Sequence, residues 1–517
     1  MTSRSLARAG LIVTVAFLGS RVLGWVRLVV IANIFGAGSD LDAYFAAFRI
    51  PDLVYQLAAA GALASALVPV LAQLLHNGEH ARAWRVTSSV INLMMLALLA
   101  GSVLMAVFAP LLVPWLVPGF DAVNTELTIQ LTRIMLLSPM LLALGSVASS
   151  VLNTEGRFAA AAIAPLAYNG LIIICALVLS PIMGIHALAV GVVIGSFAHV
   201  MVQVPSLRGR FHYDLSLDIK DPATRQALFL MAPRAIGLGV NQVTFIVNTT
   251  LATGLGVGAV VAYNIAYNVL QIPIGVIGVP LGVILLPALS RAVAAGSVVE
   301  FGSILRQSLR LLMWVTLWIA AVGIVLRRQV VLLLFGWGFD SVARAQTADT
   351  LMFFLLGLPA NCLNVVLARA FYSSQDTRTP VVVAIASVGV NVVVSVLTVG
   401  SMGLAGLALG IALGGWFDTV VLSFLLWRRN HHVDLRSILT GSVVFGAGSA
   451  IAGAGALAVT RYGHGVFGRL PGRPLLLAEM VVASVVAGAI YVVYSRLMRV
   501  PELTRVIGLI RSELRRR

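Results

Sequence analysis

The amino-acid sequence alternates long apolar stretches with short polar ones along its whole length. A helix of about 20 apolar residues is long enough to cross the roughly 30 Å hydrocarbon core of a bilayer. Fourteen such windows are predicted, at about 11–35, 43–72, 88–113, 127–151, 159–179, 186–205, 227–252, 258–288, 309–326, 348–370, 381–399, 404–427, 438–459 and 474–495. The pattern therefore predicts an all-α polytopic membrane protein with fourteen transmembrane helices.

A weak internal repeat is visible at an offset of about 219 residues. The segment AYFAAFRI at 43–50 is echoed by AYNIAYNV at 262–269, and later motifs follow in the same order in both halves. An offset of six spans gives both halves the same orientation, which is typical of transporters built from parallel repeats. Chance similarity among helices rich in Ala, Val and Leu is the alternative. We predict an N-lobe at 1–210, a C-lobe at 211–432 and an appended helix pair with a basic tail at 433–517.

Composition agrees with a membrane protein, because 60% of the residues are hydrophobic and only 10% are charged. The net charge of +16 would suggest nucleic-acid binding in a soluble protein. If the N-terminus is cytoplasmic, however, 23 of the 35 Lys and Arg residues fall at cytoplasmic ends and loops, and six fall on the opposite side. This bias predicts that both termini are cytoplasmic in a plasma membrane. Basic loops beside anionic headgroups account for the charge, so no nucleic-acid partner is expected.

The chain carries few signs of enzyme chemistry. It lacks the GxxxxGK[ST] motif that binds nucleotide phosphates. Cys175 and Cys362 lie in apolar segments, while His431 and His432 are adjacent in a basic loop, so no metal-ligand spacing appears. We expect a transporter rather than an enzyme, with no metal site and no bound cofactor.

Charged residues inside the first two apolar segments are the main candidates for function. An ionised side chain near the bilayer centre costs a few kcal/mol, so it faces a partner or a polar cavity. At about 100° per residue, Asp42, Arg49 and Asp52 share one helix face, and Arg21 and Arg27 lie about 120° apart. The excess of guanidinium over carboxylate predicts a cavity that binds phosphate or diphosphate. Purely structural ion pairs, Arg21 or Arg27 with Asp42 and Arg49 with Asp52, are the alternative.

Other polar and helix-bending residues extend this candidate site. Pro51 removes a backbone hydrogen bond and is expected to bend the second segment, and Gly24 is a further hinge candidate. In the repeat-equivalent region of the eighth segment, Asn268 and Gln271 are expected to face the cavity. Amides in membrane helices also commonly hold helices together.

At these residues the chain resembles the MurJ (MviN) family of lipid II flippases, in the multidrug/oligosaccharidyl-lipid/polysaccharide exporter superfamily. The matching stretches are SRVLGWVR (20–27), FGAGSDLDAYFAAFRIPDL (35–53), LNTEGRFAAAAIAP (152–165), GVILLPALSR (282–291) and ARAFYSSQDTRTPV (368–381). The resemblance implies two six-helix lobes around a cationic cavity formed by segments one, two, seven and eight. It also implies export of an undecaprenyl-diphosphate-linked disaccharide-pentapeptide by alternating access, driven by membrane potential or a monovalent cation gradient. The family's cavity residues correspond to Ser20, Arg21, Arg27 and Asp42.

The chain departs from the family pattern at three positions. Tyr55 and Asn268 stand where the family commonly has arginine, and Ala60 stands where it has glutamate. These losses leave open an exporter of another polyprenyl-linked glycan or amphiphile. A scaffold that binds envelope-synthesis proteins without transporting anything is a third hypothesis.

Overall fold

The computed structural model describes residues 3–58, 70–154, 156–208, 213–429, 434–462 and 473–516. Every regular element within those ranges is a helix, which confirms the predicted all-α class. Ala60, His431 and His432 lie outside the described residues.

The chain forms two compact units. Unit 1 comprises residues 1–261 and 337–339, and unit 2 comprises 262–336 and 340–517. The lobe boundary at 210/211 and the parallel repeat remain predictions.

Among its described residues, unit 1 contains nine helices of nine or more residues, a further helical stretch at 70–76 and two single turns. The single turns are Ser180–Met183 and Val204–Leu207. The helices are α1 (Ser3–Phe35), α2 (Ser39–Ala47), α3 (Arg49–Ala58), α4 (His80–Leu116), α5 (Ala122–Met135), α6 (Ser138–Thr154), α7 (Phe158–Val178), α8 (His186–Met201) and α9 (Pro222–Thr253).

Small residues let α7 and α8 approach closely in unit 1. A Cβ atom added at Gly195 would lie 2.7 Å from the carbonyl oxygen of Tyr168, and one added at Gly191 would lie 2.9 Å from the Cβ of Cys175. Close backbone approach at small residues is a usual source of helix association in membranes. Cys175 therefore packs between the two helices.

Unit 2 contains the remaining helices. The helix α10 (Ala259–Pro273) begins in unit 1 and continues through a π-helical turn at Ile274–Gly278 into α11 (Val279–Ala294). The others are α12 (Val298–Phe335), α13 (Ser341–Leu356), α14 (Leu358–Ser373), α15 (Arg378–Met402), α16 (Leu404–Arg429), α17 (Leu435–Tyr462), α18 (Arg473–Leu497) and α19 (Pro501–Arg516).

Ten of the described helical segments are long and apolar enough to cross a membrane. The pair α13 and α14, bent by 43° at Gly357, would make eleven if it forms one span. At this bend a Cβ atom on Gly357 would lie 2.7 Å from the Cα of Ala412, so α16 leaves no room for a side chain. The polytopic architecture is thus confirmed, while the number fourteen remains a prediction.

The predicted C-terminal helix pair, α17 and α18, packs on α12. The indole Nε1 of Trp314 donates to Ser495 Oγ at 3.1 Å, and the hydroxyl of Tyr491 donates to the Trp314 carbonyl at 2.8 Å. The basic tail forms α19, whose Glu502 is 1% exposed and binds Arg310 of α12 through both carboxylate oxygens at 2.6 and 3.2 Å. The tail helix is therefore attached to unit 2 by a buried ion pair.

Candidate functional site

The second apolar segment is interrupted between α2 and α3, at Phe48. Pro51 has no N–H group to donate to the carbonyl oxygen of Ala47 four residues earlier. That oxygen accepts a hydrogen bond from the Thr132 hydroxyl at 3.4 Å instead. After this break α3 starts at Arg49.

Arg49 is buried against α9. Its side chain is 7% exposed, its Nε donates to Thr249 Oγ1 at 2.8 Å, and its guanidinium lies 5.3 Å from the centre of the Phe245 ring. A guanidinium over an aromatic face gains a cation–π attraction that grows as water is excluded. These contacts make Arg49 a link between α3 and α9 as well as a source of positive charge.

Asp42 has a structural environment that the sequence did not indicate. It is 1% exposed, and its two carboxylate oxygens accept N–H groups from Gly258 at 2.5 Å and Val261 at 2.7 Å. These N–H groups lie at the start of α10, where a carboxylate is favoured by the unpaired donors and by the helix dipole. Among the described residues, the backbone takes the place of the arginine expected to pair with Asp42.

Arg27 of α1 is half-buried and faces an aromatic side chain. Its guanidinium carbon lies 5.7 Å from the centre of the Tyr168 ring on α7. Among the described residues no carboxylate lies within ion-pair distance of Arg27. Arg27 and Arg49 both act electrostatically on Asp52, which is the nearby negative charge in this region.

The remaining α1 candidates lie on the same helix. Arg21 is exposed and Ser20 is half-buried. The helix continues through Gly24, where an added Cβ atom would lie 3.6 Å from Asn169 Oδ1. Gly24 thus faces α7 at ordinary contact distance inside an uninterrupted helix, and the hinge predicted there is not seen as a break.

Tyr55, which replaces a family arginine, also has a defined partner. Its hydroxyl lies 3.0 Å from Ser146 Oγ on α6. The sequence analysis did not identify the residues that contact these candidates, which are Thr132, Ser146, Tyr168, Phe245 and Thr249. They lie 85 to 200 residues from their partners, so no local pattern identifies them.

The amides predicted in the eighth segment lie in unit 2. Asn268 is exposed, and its Nδ2 donates to the Asn264 carbonyl oxygen one turn earlier at 2.8 Å. Gln271 Nε2 donates to the Tyr267 hydroxyl at 2.7 Å, also one turn away. The π-helical turn begins three residues after Gln271, and such turns are frequent at functional sites. Both amides retain polar atoms beside an irregular stretch of helix.

The charges of unit 1 favour an anion over a cation. Arg27 and Arg49 both act on the single carboxylate of Asp52, while the Asp42 carboxylate is already occupied by backbone donors. Arginine presents a planar fork of donors that suits phosphate oxygens. Among described residues, no cluster of His, Cys, Asp and Glu suits a metal ion.

Comparison with known proteins gives one consistent family. A sequence model described as lipid II flippase MurJ matches residues 31–471. The chain is 31% identical to a probable lipid II flippase MurJ of Rhizobium tropici, covering 87% of this chain and 86% of the relative. It is 32% identical to the lipid II flippase MurJ of Burkholderia cenocepacia, covering 82% and 84%.

Solved structures show the same fold. A lipid II flippase MurJ in an inward closed conformation matches with a TM-score of 0.79 and 22% identity, over 94% of this chain and 99% of that one. An inward-facing MATE family transporter of the MOP superfamily matches with a TM-score of 0.67 and 16% identity, over 80% and 95%.

Proposed function

Because the chain belongs to the MurJ family of lipid II flippases, we propose that Arg21 and Arg27 bind the diphosphate of a polyprenyl-linked glycan during its transport across the bacterial inner membrane. The substrate is lipid II, the undecaprenyl-diphosphate disaccharide-pentapeptide. Transport proceeds by alternating access, with both termini in the cytoplasm. The protein acts as a transporter, and no catalytic residue is assigned.

The observation that carries this proposal is the environment of Arg27. A half-buried guanidinium in a membrane protein needs compensation, and the phenol ring of Tyr168 supplies only part of it. A diphosphate would supply the missing negative charge and two or more acceptor oxygens for the planar fork. Arg21, which is exposed on the same helix, would add a second cation.

The other candidate residues receive different roles. Arg49 holds α3 against α9 and contributes its charge to the site, while Asp52 balances part of that charge. Asp42 holds the start of α10 in place. Asn268 and Gln271, which lie in unit 2, remain predicted substrate-binding residues, because neutral amides bind sugar hydroxyls.

The test is complementation of bacterial cells depleted of their own lipid II flippase. The unmodified chain should restore growth, and Arg27→Ala should fail although the protein reaches the membrane in normal amount. Arg27→Lys should restore growth in part, because it keeps the charge and loses the planar fork. Arg133→Ala is the matched control, since this arginine is exposed and donates to the Ala106 carbonyl at 3.1 Å.

Two outcomes would contradict the proposal. Normal growth with Arg27→Ala would remove Arg27 from the site. If the unmodified chain does not restore growth, and native mass spectra show another polyprenyl-linked glycan bound to it, the protein is an exporter of that glycan. This second function is tested because Tyr55 and Asn268 are neutral where the family commonly has arginine.

A further inference from the structure

A segment of unit 1 at 213–219, here called the strap, crosses the first turns of α4 without forming a helix. Its backbone is bound by serine side chains of α4: the Asp214 N–H donates to Ser88 Oγ at 3.0 Å, and the Asp218 N–H donates to Ser89 Oγ at 3.1 Å. The Ser216 hydroxyl lies 2.7 Å from Ser89 Oγ. The backbone N–H groups of Asp214 and Asp218 and the Ser216 hydroxyl thus face the helix.

The side chain of Asn92 also binds the strap. Its Nδ2 donates to the carbonyl oxygens of Asp214 at 3.2 Å and Ser216 at 2.8 Å, and its Oδ1 accepts the Tyr213 hydroxyl at 2.5 Å. Just beyond the strap, Arg82 donates to both oxygens of Asp221 at 2.8 and 3.1 Å, which holds the pKa of that carboxyl below its usual range. The strap is therefore held on α4 by defined hydrogen bonds.

The odd-numbered side chains of the strap are apolar and exposed. Tyr213, Leu215, Leu217 and Ile219 are 53%, 86%, 56% and 52% exposed, respectively. The hydrogen bonds of the strap, including that of the Tyr213 hydroxyl to Asn92, hold this row in place. A contiguous row of exposed apolar side chains indicates contact with another apolar body.

Two cavities lie beneath the strap and share Asn92 and Met95. The larger, about 420 Å³, extends between α4, α6 and α8 and is lined by side chains that include Leu144, Val147 and Ala148. The smaller, about 310 Å³, is bounded by Leu96, Leu99, Met140, Leu215 and Leu217. Both volumes fall in the range of about 300–1,000 Å³ found for ligand sites. We call the two cavities together the groove.

The groove is open towards the apolar surface of α4. Leu96 and Leu99 are 58% and 48% exposed and belong to the membrane-spanning part of that helix. The polar atoms of Asn92 are occupied by the strap, so the lining offers mainly hydrocarbon. An unbranched hydrocarbon chain from the bilayer can therefore enter the groove sideways.

Exposed cations lie at the other end of the groove. Leu207 lines the larger cavity and is followed by the exposed Arg208. Arg157 is also exposed, and its Nη1 donates to the carbonyl oxygen of Ser206 at 3.4 Å. The arrangement places positive charge next to an apolar cavity, and basic side chains attract anionic lipids at a membrane surface.

We propose that the groove holds one acyl chain of an anionic phospholipid, whose phosphate binds Arg157 and Arg208. The chain lies against Met95 and Leu144, and the strap covers it. The groove shares no residue with the arginine cluster of α1 to α3, so this lipid is a resident partner of unit 1 and is not the transported molecule. Its negative charge would balance Arg157 and Arg208, for which the described residues supply no carboxylate within ion-pair distance.

The experiment uses the full-length protein in nanodiscs that contain phosphatidylglycerol with a photoreactive diazirine in its acyl chain. Peptide mass spectrometry should find the label at Met95, Met140 and Leu144. Phosphatidylcholine with the same chain should label these residues less, by about fivefold for each arginine that contacts the phosphate. Equal labelling by the two lipids would overturn the proposal, because it would indicate bulk bilayer contact.

Variants separate the groove from the general lipid surface. Ala148→Phe fills the larger cavity and should reduce labelling at Leu144, whereas Val107→Phe, on the 64% exposed lipid face of α4, should leave it unchanged. Arg208→Gln should reduce the preference for phosphatidylglycerol, and the exposed Arg225→Gln should not. If Ala148→Phe does not fold, Leu217→Ser opens the strap side of the groove at a 56% exposed position and should also reduce labelling.

A competition arm tests the other source of an apolar chain. Polyprenyl phosphate added at equal concentration should not displace the phosphatidylglycerol label. Displacement would overturn the proposal in favour of a substrate-chain site, and it would leave the proposed role of Arg27 untouched. Unchanged labelling in both groove variants would also overturn it.

Discussion

The charged residues of the first two segments differ in what surrounds them, although they are similar in type. The Asp42 carboxylate is satisfied by two backbone N–H groups, and the Arg49 guanidinium has a hydroxyl and an aromatic ring. Arg27 has a phenol ring and a carboxylate that acts from beyond ion-pair distance. From their burial alone, Asp42, Arg49 and Arg27 would be assigned to one network of ion pairs. Their partners instead separate residues that hold helices together from a residue suited to bind a transported anion.

A substitution at Asp42 should therefore affect stability before it affects substrate binding. Asp42→Asn replaces one acceptor oxygen by an NH₂ group, which leaves a buried backbone N–H without a partner at a cost of about 1–3 kcal/mol. The thermal unfolding midpoint in detergent should fall, as measured by intrinsic fluorescence. Asp40→Asn is the matched control, because Asp40 lies in the same first turn of α2 and is exposed. An unchanged midpoint together with lost complementation would instead place Asp42 at the substrate.

The ring of Tyr168 should matter more than its hydroxyl. Tyr168→Phe keeps an aromatic face beneath Arg27, whereas Tyr168→Leu removes an attraction of about 0.5–2 kcal/mol, equivalent to about 2- to 30-fold in affinity. Binding of a polyprenyl-diphosphate glycolipid should be measured by native mass spectrometry for both variants. Weak binding by Tyr168→Phe with normal binding by Tyr168→Leu would exclude the ring contact.

At the scale of helices, departures from regular geometry occur beside the polar residues. The break at Phe48 precedes Arg49, and the π-helical turn at Ile274–Gly278 follows Gln271. Each departure involves a proline, at Pro51 and Pro273, that cannot donate a backbone hydrogen bond. Membrane helices tolerate such breaks where neighbouring side chains satisfy the freed groups, as Thr132 does for Ala47. The irregular stretches therefore mark where these helices are adapted to hold polar side chains.

The tail helix α19 should detach from unit 2 when its buried ion pair is broken. Glu502→Ala leaves Arg310 with the Ser437 oxygens and the Phe445 ring but without its carboxylate, at a cost of about 3 kcal/mol. Limited trypsin digestion should then cut faster after Arg505 and Arg511. The control is Arg306→Ala, because the Arg306–Asp434 pair is 3.8 Å long and exposed and is worth at most about 1 kcal/mol. Equal digestion rates for both variants would show that α19 is held by other contacts.

For the whole molecule, the sequence supports the architecture far better than it supports the site. Apolar windows identified the helices because each window must satisfy its own backbone in the membrane, and this requirement is local. The broken second segment was likewise foreseeable from Pro51. The partners of Asp42, Arg27 and Arg49 were not, because they come from helices more than 100 residues away. Gly24 shows the same limit, since its close approach to Asn169 depends on how α1 and α7 pack.

The charge of the proposed cavity also predicts how transport is driven. With Arg21 and Arg27 in the empty site and a diphosphate in the loaded one, the loaded site is close to neutral while the empty site carries about two positive charges. An interior-negative potential then pulls the empty cationic site back towards the cytoplasm, with about 2.3 kcal/mol per charge for each 100 mV. In proteoliposomes, collapse of the potential with valinomycin and equal potassium should stop repeated lipid II export, and collapse of the sodium gradient alone should not. If export stops only when the sodium gradient is removed, a bound cation supplies the driving force and the arginine charge does not.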